Sequence, residues 1–238
     1  MKNTILKYYG VPLVLSVILL ALFPILPSCG GGGGGGGGPL YSNATLTGVW
    51  MAKATVGPDT LIDSFRFDGI GSMVEEYILN PGTLPSLYNV QADGSLTYDM
   101  TFAYDPTITI TGKFTSATAA TIGATVSGTA YSGTLRKVMD LGACQGTWSG
   151  TMSAPLANSF QITVDNTGTI VSGSGFATSF SGKLFCESGD ATGIMITNAI
   201  APLDRVQFHS GTVVSGATLT ISGNYEVNGP VGTYTLVK

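Results

Sequence analysis

The sequence predicts an all-β protein of two tandem antiparallel β-meander repeats, closed as small barrels or packed face to face as a sandwich. Three observations predict this. Landmarks recur in one order: Gly48-Val49-Trp50 returns as Gly146-Thr147-Trp148, and Ser64-Phe65 as Ser159-Phe160. Asp68-Gly69-Ile70-Gly71 is echoed by Asp165-Asn166-Thr167-Gly168, Thr125-Val126-Ser127-Gly128 by Thr220-Ile221-Ser222-Gly223, and Gly133-Thr134 by Gly232-Thr233. Hydrophobicity alternates with period two, the strand period: Phe160, Ile162 and Val164 interleave with Gln161, Thr163 and Asp165. Turn dipeptides separate these runs, among them Asp68-Gly69, Asp93-Gly94, Asp105-Pro106, Ser127-Gly128 and Asn228-Gly229.

The chain begins with a different kind of sequence. Lys2 and Lys7 precede an apolar stretch, Val11 to Leu26, broken by Pro12 and Pro24. That is short for a membrane span and suits a signal peptide over 1–28. Leu26-Pro27-Ser28-Cys29 closes it, with Leu at −3 and a small residue at −1. This resembles the lipobox of bacterial lipoproteins, which implies cleavage before Cys29 and acylation of that cysteine. Residues 29–44 then form a tether. Gly30 to Gly38 is an unbroken glycine tract, with the most backbone entropy to lose and no side chain to bury. A coil of roughly 15 residues spans about 20–25 Å, enough to hold a domain clear of lipid headgroups. The resemblance implies a bacterial outer-membrane lipoprotein, since Gly30 rather than Asp follows the cysteine. Several acyl chains would anchor it stably where one is marginal.

The repeats occupy 45–138 and 139–238. Tyr98, Met100, Phe102 and Tyr104 alternate with Thr97, Asp99, Thr101 and Ala103, and Leu219 and Ile221 with Thr218, Thr220 and Ser222. One face is apolar and the other carries Thr and Ser, whose branched or small side chains suit a wetted pleat. Short connections favour neighbouring antiparallel strands, six to eight in each copy. Such a sheet must close or pair to bury its apolar face.

The start of each copy, Leu46-Thr47-Gly48-Val49-Trp50 and Gly146-Thr147-Trp148-Ser149-Gly150, resembles the first strand of the calycins, the lipocalin and avidin group. The resemblance implies an up-and-down barrel whose end is plugged by the Trp, with a basic residue of the last strand beside it. Arg136 or Lys137 would take that place in the first copy and Lys238 in the second. No ligand is carried over.

Composition excludes several functions. The chain has 10 Lys and Arg against 14 Asp and Glu, and 1 His, so it lacks the basic face that nucleic acid requires and the ligands of a His-rich metal site. No cofactor is implied. Trp50 and Trp148 are expected as core plugs. Cys144 and Cys186, in an exported chain, are expected to form a disulfide. His209 is expected at the surface. It has no Gly-x-Ser-x-Gly elbow to serve, and no catalytic residue is assigned. Glu75 and Glu76 point to opposite faces of a strand. Asp59, Asp63 and Asp68 read as a solvated rim. Glu187 and Asp190, with Gly189 and Gly193, supply oxygen ligands for a Ca²⁺ loop, but no EF-hand spacing supports one. The expectation is a non-enzymatic binding or structural module, held to the membrane by its lipid anchor, with an unidentified protein or glycan as partner. A carrier of a small apolar ligand is the alternative, and a hydrolase of envelope polymers comes third.

Overall fold

The computed structural model describes residues 40–56, 59–75, 86–100, 108–126, 129–198, 205–227 and 231–238. The signal segment, Cys29, the glycine tract, Glu76 and the dipeptides Asp105-Pro106, Ser127-Gly128 and Asn228-Gly229 lie outside the described residues.

A short 3-10 helix, Asn43–Leu46, leads into the first repeat. Its strands are β1 (Gly48–Val56), β2 (Asp59–Phe67), β3 (Ser72–Glu75), β4 (Ser86–Val90), β5 (Ser95–Met100), β6 (Ile108–Ser116), β7 (Ala119–Val126) and β8 (Thr129–Lys137). The second repeat follows with β9 (Gly146–Met152), β10 (Ser159–Val164), β11 (Thr169–Ser174), β12 (Phe180–Glu187), β13 (Asp190–Thr197), β14 (Arg205–Val214), β15 (Thr220–Glu226) and β16 (Val231–Val237).

Each repeat closes on itself as an antiparallel meander. β8 returns to β1, with Lys137 opposite Trp50, and β16 returns to β9, with Val237 opposite Ser149. Barrels, not a sandwich, resolve the architecture the sequence left open. Closure satisfies strand edges that would otherwise present unpaired backbone groups. The strands of each repeat are short, which is how eight fit in under a hundred residues.

The alternation fixes which side chains face inward. Barrel two is filled by Trp148, Phe160, Ile162, Leu184, Phe208, Tyr225, Tyr234 and Leu236, all buried in one apolar cluster. Barrel one is filled by Trp50, Phe65, Phe67, Leu96, Tyr98, Phe114 and Leu135. Both tryptophans are fully buried, and each indole N–H donates to the carbonyl four residues earlier: Leu46 at 2.7 Å and Cys144 at 2.8 Å. A buried indole needs such a partner, and the segment before each barrel supplies it. Lys238 Nζ sits 5.9 Å from the centre of the Trp148 ring, and its counterpart Lys137 lies beside Gly48 at the Trp50 end. Cys144 and Cys186 form a disulfide, with Cα atoms 5.6 Å apart, that ties the entry of barrel two to the end of β12.

Aspartates shape the hairpins. Asp68 Oδ1 accepts the amides of Ile70, Gly71 and Ser72 at 2.8–2.9 Å, and Asp165 accepts those of Thr167 and Thr169. Partial desolvation pushes the Asp68 carboxyl up, but those amides and the Tyr88 hydroxyl outweigh it and hold it at about 2. Such side-chain turns explain why Asp opens these loops.

Candidate functional site at the junction of the barrels

The outward face of a closed barrel is normally wet. In β1 and β2, however, the outward residues Val49, Met51 and Ile62 are buried. They pack with Phe185 of β12 and with Val138, which follows β8. Thr192 and Ile194, on the outward face of β13, are likewise buried. The two barrels therefore lie side by side, β2 against β13 and β14.

The contact has a structural reason. Among the described residues, β3 pairs with β2 only from Phe65 to Phe67. Carbonyls in the first half of β2 find donors in the other barrel instead. The Ser210 hydroxyl donates to Thr60 O, and the Thr192 hydroxyl lies 2.8 Å from Ile62 O and 3.1 Å from Phe208 O. Buried carbonyls need such partners. Ser210 sits in a β-bulge of β14, where the register shifts between His209 and Thr212, with φ at +52°. That left-handed conformation is uncommon outside glycine, and bulges re-aim side chains. Around this core, Lys53 pairs with Asp190 at 2.8 Å, and Met139 N–H donates to Glu187 at 3.0 Å.

At its centre the junction gathers ionisable groups. His209 Nδ1 lies 3.9 Å from Asp63 Oδ1, and Nε2 lies 3.7 Å from Glu226 Oε2. Gln207 Nε2 donates to Asp63 at 3.4 Å. The imidazole side chain is 9% exposed, and Nδ1 is buried without a hydrogen-bond partner. Burial pushes the Asp63 carboxyl up, the His209 charge and the Gln207 bond oppose this, and Glu226 adds to it. Burial, with the Asp63 charge adding, also pushes the Tyr98 hydroxyl up.

His209 is not at the surface but 7% exposed, because the outward face of β14 is covered by β2 of the other barrel. Asp63 is half-buried and not fully solvated, its side chain 27% exposed. Its register opposite Ala52 places it on the face of β2 that carries Phe65 and Phe67. Asp68 is exposed and occupied by its turn. Glu187 and Asp190 are engaged with Met139 and Lys53 across the junction. Among the described residues, no group of three His, Cys, Asp or Glu is arranged to hold a metal ion. The cluster combines groups far apart in sequence, so spacing carries no sign of it; the one signal was a carboxylate where an alternating apolar face calls for a hydrophobic residue.

The chain matches no protein-family model, and no curated protein is similar to it.

Proposed function

We propose that the protein is an envelope-anchored lipoprotein, tethered through Cys29, whose paired barrels act as a non-enzymatic binding or structural module. The observation that carries this is the join itself. Buried apolar contacts, backbone-to-hydroxyl bonds and ion pairs link the two barrels along one side, which suits a rigid head on the flexible tether expected from the glycine tract. The leader and tether features of the sequence support the anchor. The test is expression in a Gram-negative host with labelled fatty acid. Label should enter the wild type and be absent from Cys29→Ser, which should leave the membrane fraction. Labelling of the serine variant would refute the anchor.

A carrier role is the second reading, and it belongs to barrel one. Its inward residues Ala52, Ala54, Ile110, Ala124 and Tyr131, away from the Trp50 end, remain partly exposed. In barrel two the corresponding region is filled by buried Met152, Phe208 and Tyr225, and Phe176 stacks edge-on against Phe160 and Phe180 beside it. A native mass above the denatured mass by a discrete increment would favour the carrier, and equal masses the binding module.

A further inference from the structure

We propose that Asp63, His209 and Glu226 hold one shared proton at the junction, and that this proton latches barrel one to barrel two. The argument begins with geometry. Two carboxylates from different barrels flank one imidazole, Asp63 on its Nδ1 side at 3.9 Å and Glu226 on its Nε2 side at 3.7 Å. Nδ1 is buried and has no partner. A proton on Nδ1 or on the Asp63 carboxyl gives the other a charged or hydrogen-bonding partner. Without that proton, two half-buried negative charges face a neutral, buried ring, an arrangement that burial makes costly. The other charged side chains described around the junction already have engagements. Lys53 is paired with Asp190, and Glu187 accepts Met139 N–H and the Ser188 hydroxyl. Arg66, further along β2, is exposed and has a partner of its own. Tyr98 of β5, raised by its burial and then by the Asp63 charge, stays a neutral phenol beside the cluster.

The direction of the switch follows from linkage. Burial raises the Asp63 carboxyl above its ordinary value of 3.8 in the closed state. A raised acid binds its proton more tightly closed than open. Its contribution is therefore complete below the ordinary carboxylate value and is lost as pH rises through the closed-state value. The latch loosens toward alkaline pH.

The test uses the full chain and two readouts. The chain has 1 His, so its imidazole resonance reports this site alone. Hydrogen-exchange protection of the β2 amides, corrected for intrinsic rates, reports opening of the junction. In the wild type, protection should fall as pH rises above the ordinary carboxylate range, approaching tenfold per unit where one proton is released. The histidine resonance should shift over the same range. Asp63→Asn keeps a polar side chain facing Nδ1 and removes the carboxyl whose raised value sets the direction, so the fall in protection with rising pH should become clearly shallower. Glu226→Gln removes the charge that favours the proton, so the fall should move to lower pH. Protection that is flat with pH in the wild type, or an unchanged slope in Asp63→Asn, would overturn the proposal. If Asp63→Asn does not fold, an unshifted profile in Glu226→Gln overturns it equally.

Discussion

Barrel one and barrel two share a strand plan but not a core. Registers align them residue by residue. Trp50 lies opposite Phe65 as Trp148 lies opposite Ile162, so the next inward pair is Ala52 with Asp63 in one and Gly150 with Phe160 in the other. Barrel two uses that position for a phenylalanine whose ring lies over Gly150, so closely that a methyl there would overlap it. Barrel one uses it for a carboxylate that faces the junction. The same substitution of means appears at the entry. The indole partners are Leu46 and Cys144, and the first inward residues before the β4–β5 and β12–β13 turns are Val90 and Cys186. One pair contributes apolar surface and the other a disulfide. The difference teaches that duplication conserves the backbone plan while the copies divide labour. Barrel two carries the disulfide, and its Thr192 and Ser210 hydroxyls serve β2 carbonyls of barrel one, while its own Phe185 is buried at the same join.

Several experiments break or sharpen that comparison. The largest effect is expected from Trp148→Ala, which should cost about 3–5 kcal/mol through the cavity it leaves, read as a lower urea midpoint. Trp50→Ala should cost a similar amount and unfold barrel one first. Reduction of Cys144–Cys186 should cost about 2–4 kcal/mol, read as a fall in the barrel-two transition that carries the Trp50 signal of barrel one down with it. Asp63→Phe imports the barrel-two residue above a methyl it cannot accommodate, at a cost of about 1–3 kcal/mol. Adding Ala52→Gly should recover much of that loss, a coupling that a double-mutant cycle measures directly. No such recovery would mean that the two positions are not equivalent. The smallest effect belongs to the turns. Asp68→Ala should lower the urea midpoint slightly at neutral pH. The Asp68 carboxyl is held at about 2, so its contribution is present above the ordinary carboxylate range and fades as pH falls toward 2. Wild type and variant should converge there.

Much of this fold was legible in the sequence. The recurrence of Gly-x-Trp and Asp-x-x-Gly set the two copies, and alternation around Phe160, Ile162 and Val164 identified inward faces that are buried. Closure into barrels was not legible, because it depends on β8 finding β1, a pairing between strands about eighty residues apart that no local pattern encodes. The junction was hidden for a related reason. Period two tells which face a residue takes and not what covers that face, so His209 read as solvent-facing although β2 buries it. Asp63 was the residue that departed from its pattern, and departures of this kind mark strained or functional positions.

The central claim is that barrel two stands alone and barrel one depends on it. Urea unfolding of the separate segments Tyr41–Met139 and Asp140–Lys238 tests it most directly, beside the joined chain. The account predicts a cooperative transition for Asp140–Lys238 with its disulfide intact, and none for Tyr41–Met139 until the second segment is present. A cooperative transition for isolated Tyr41–Met139 at the midpoint it shows in the joined chain would contradict the account.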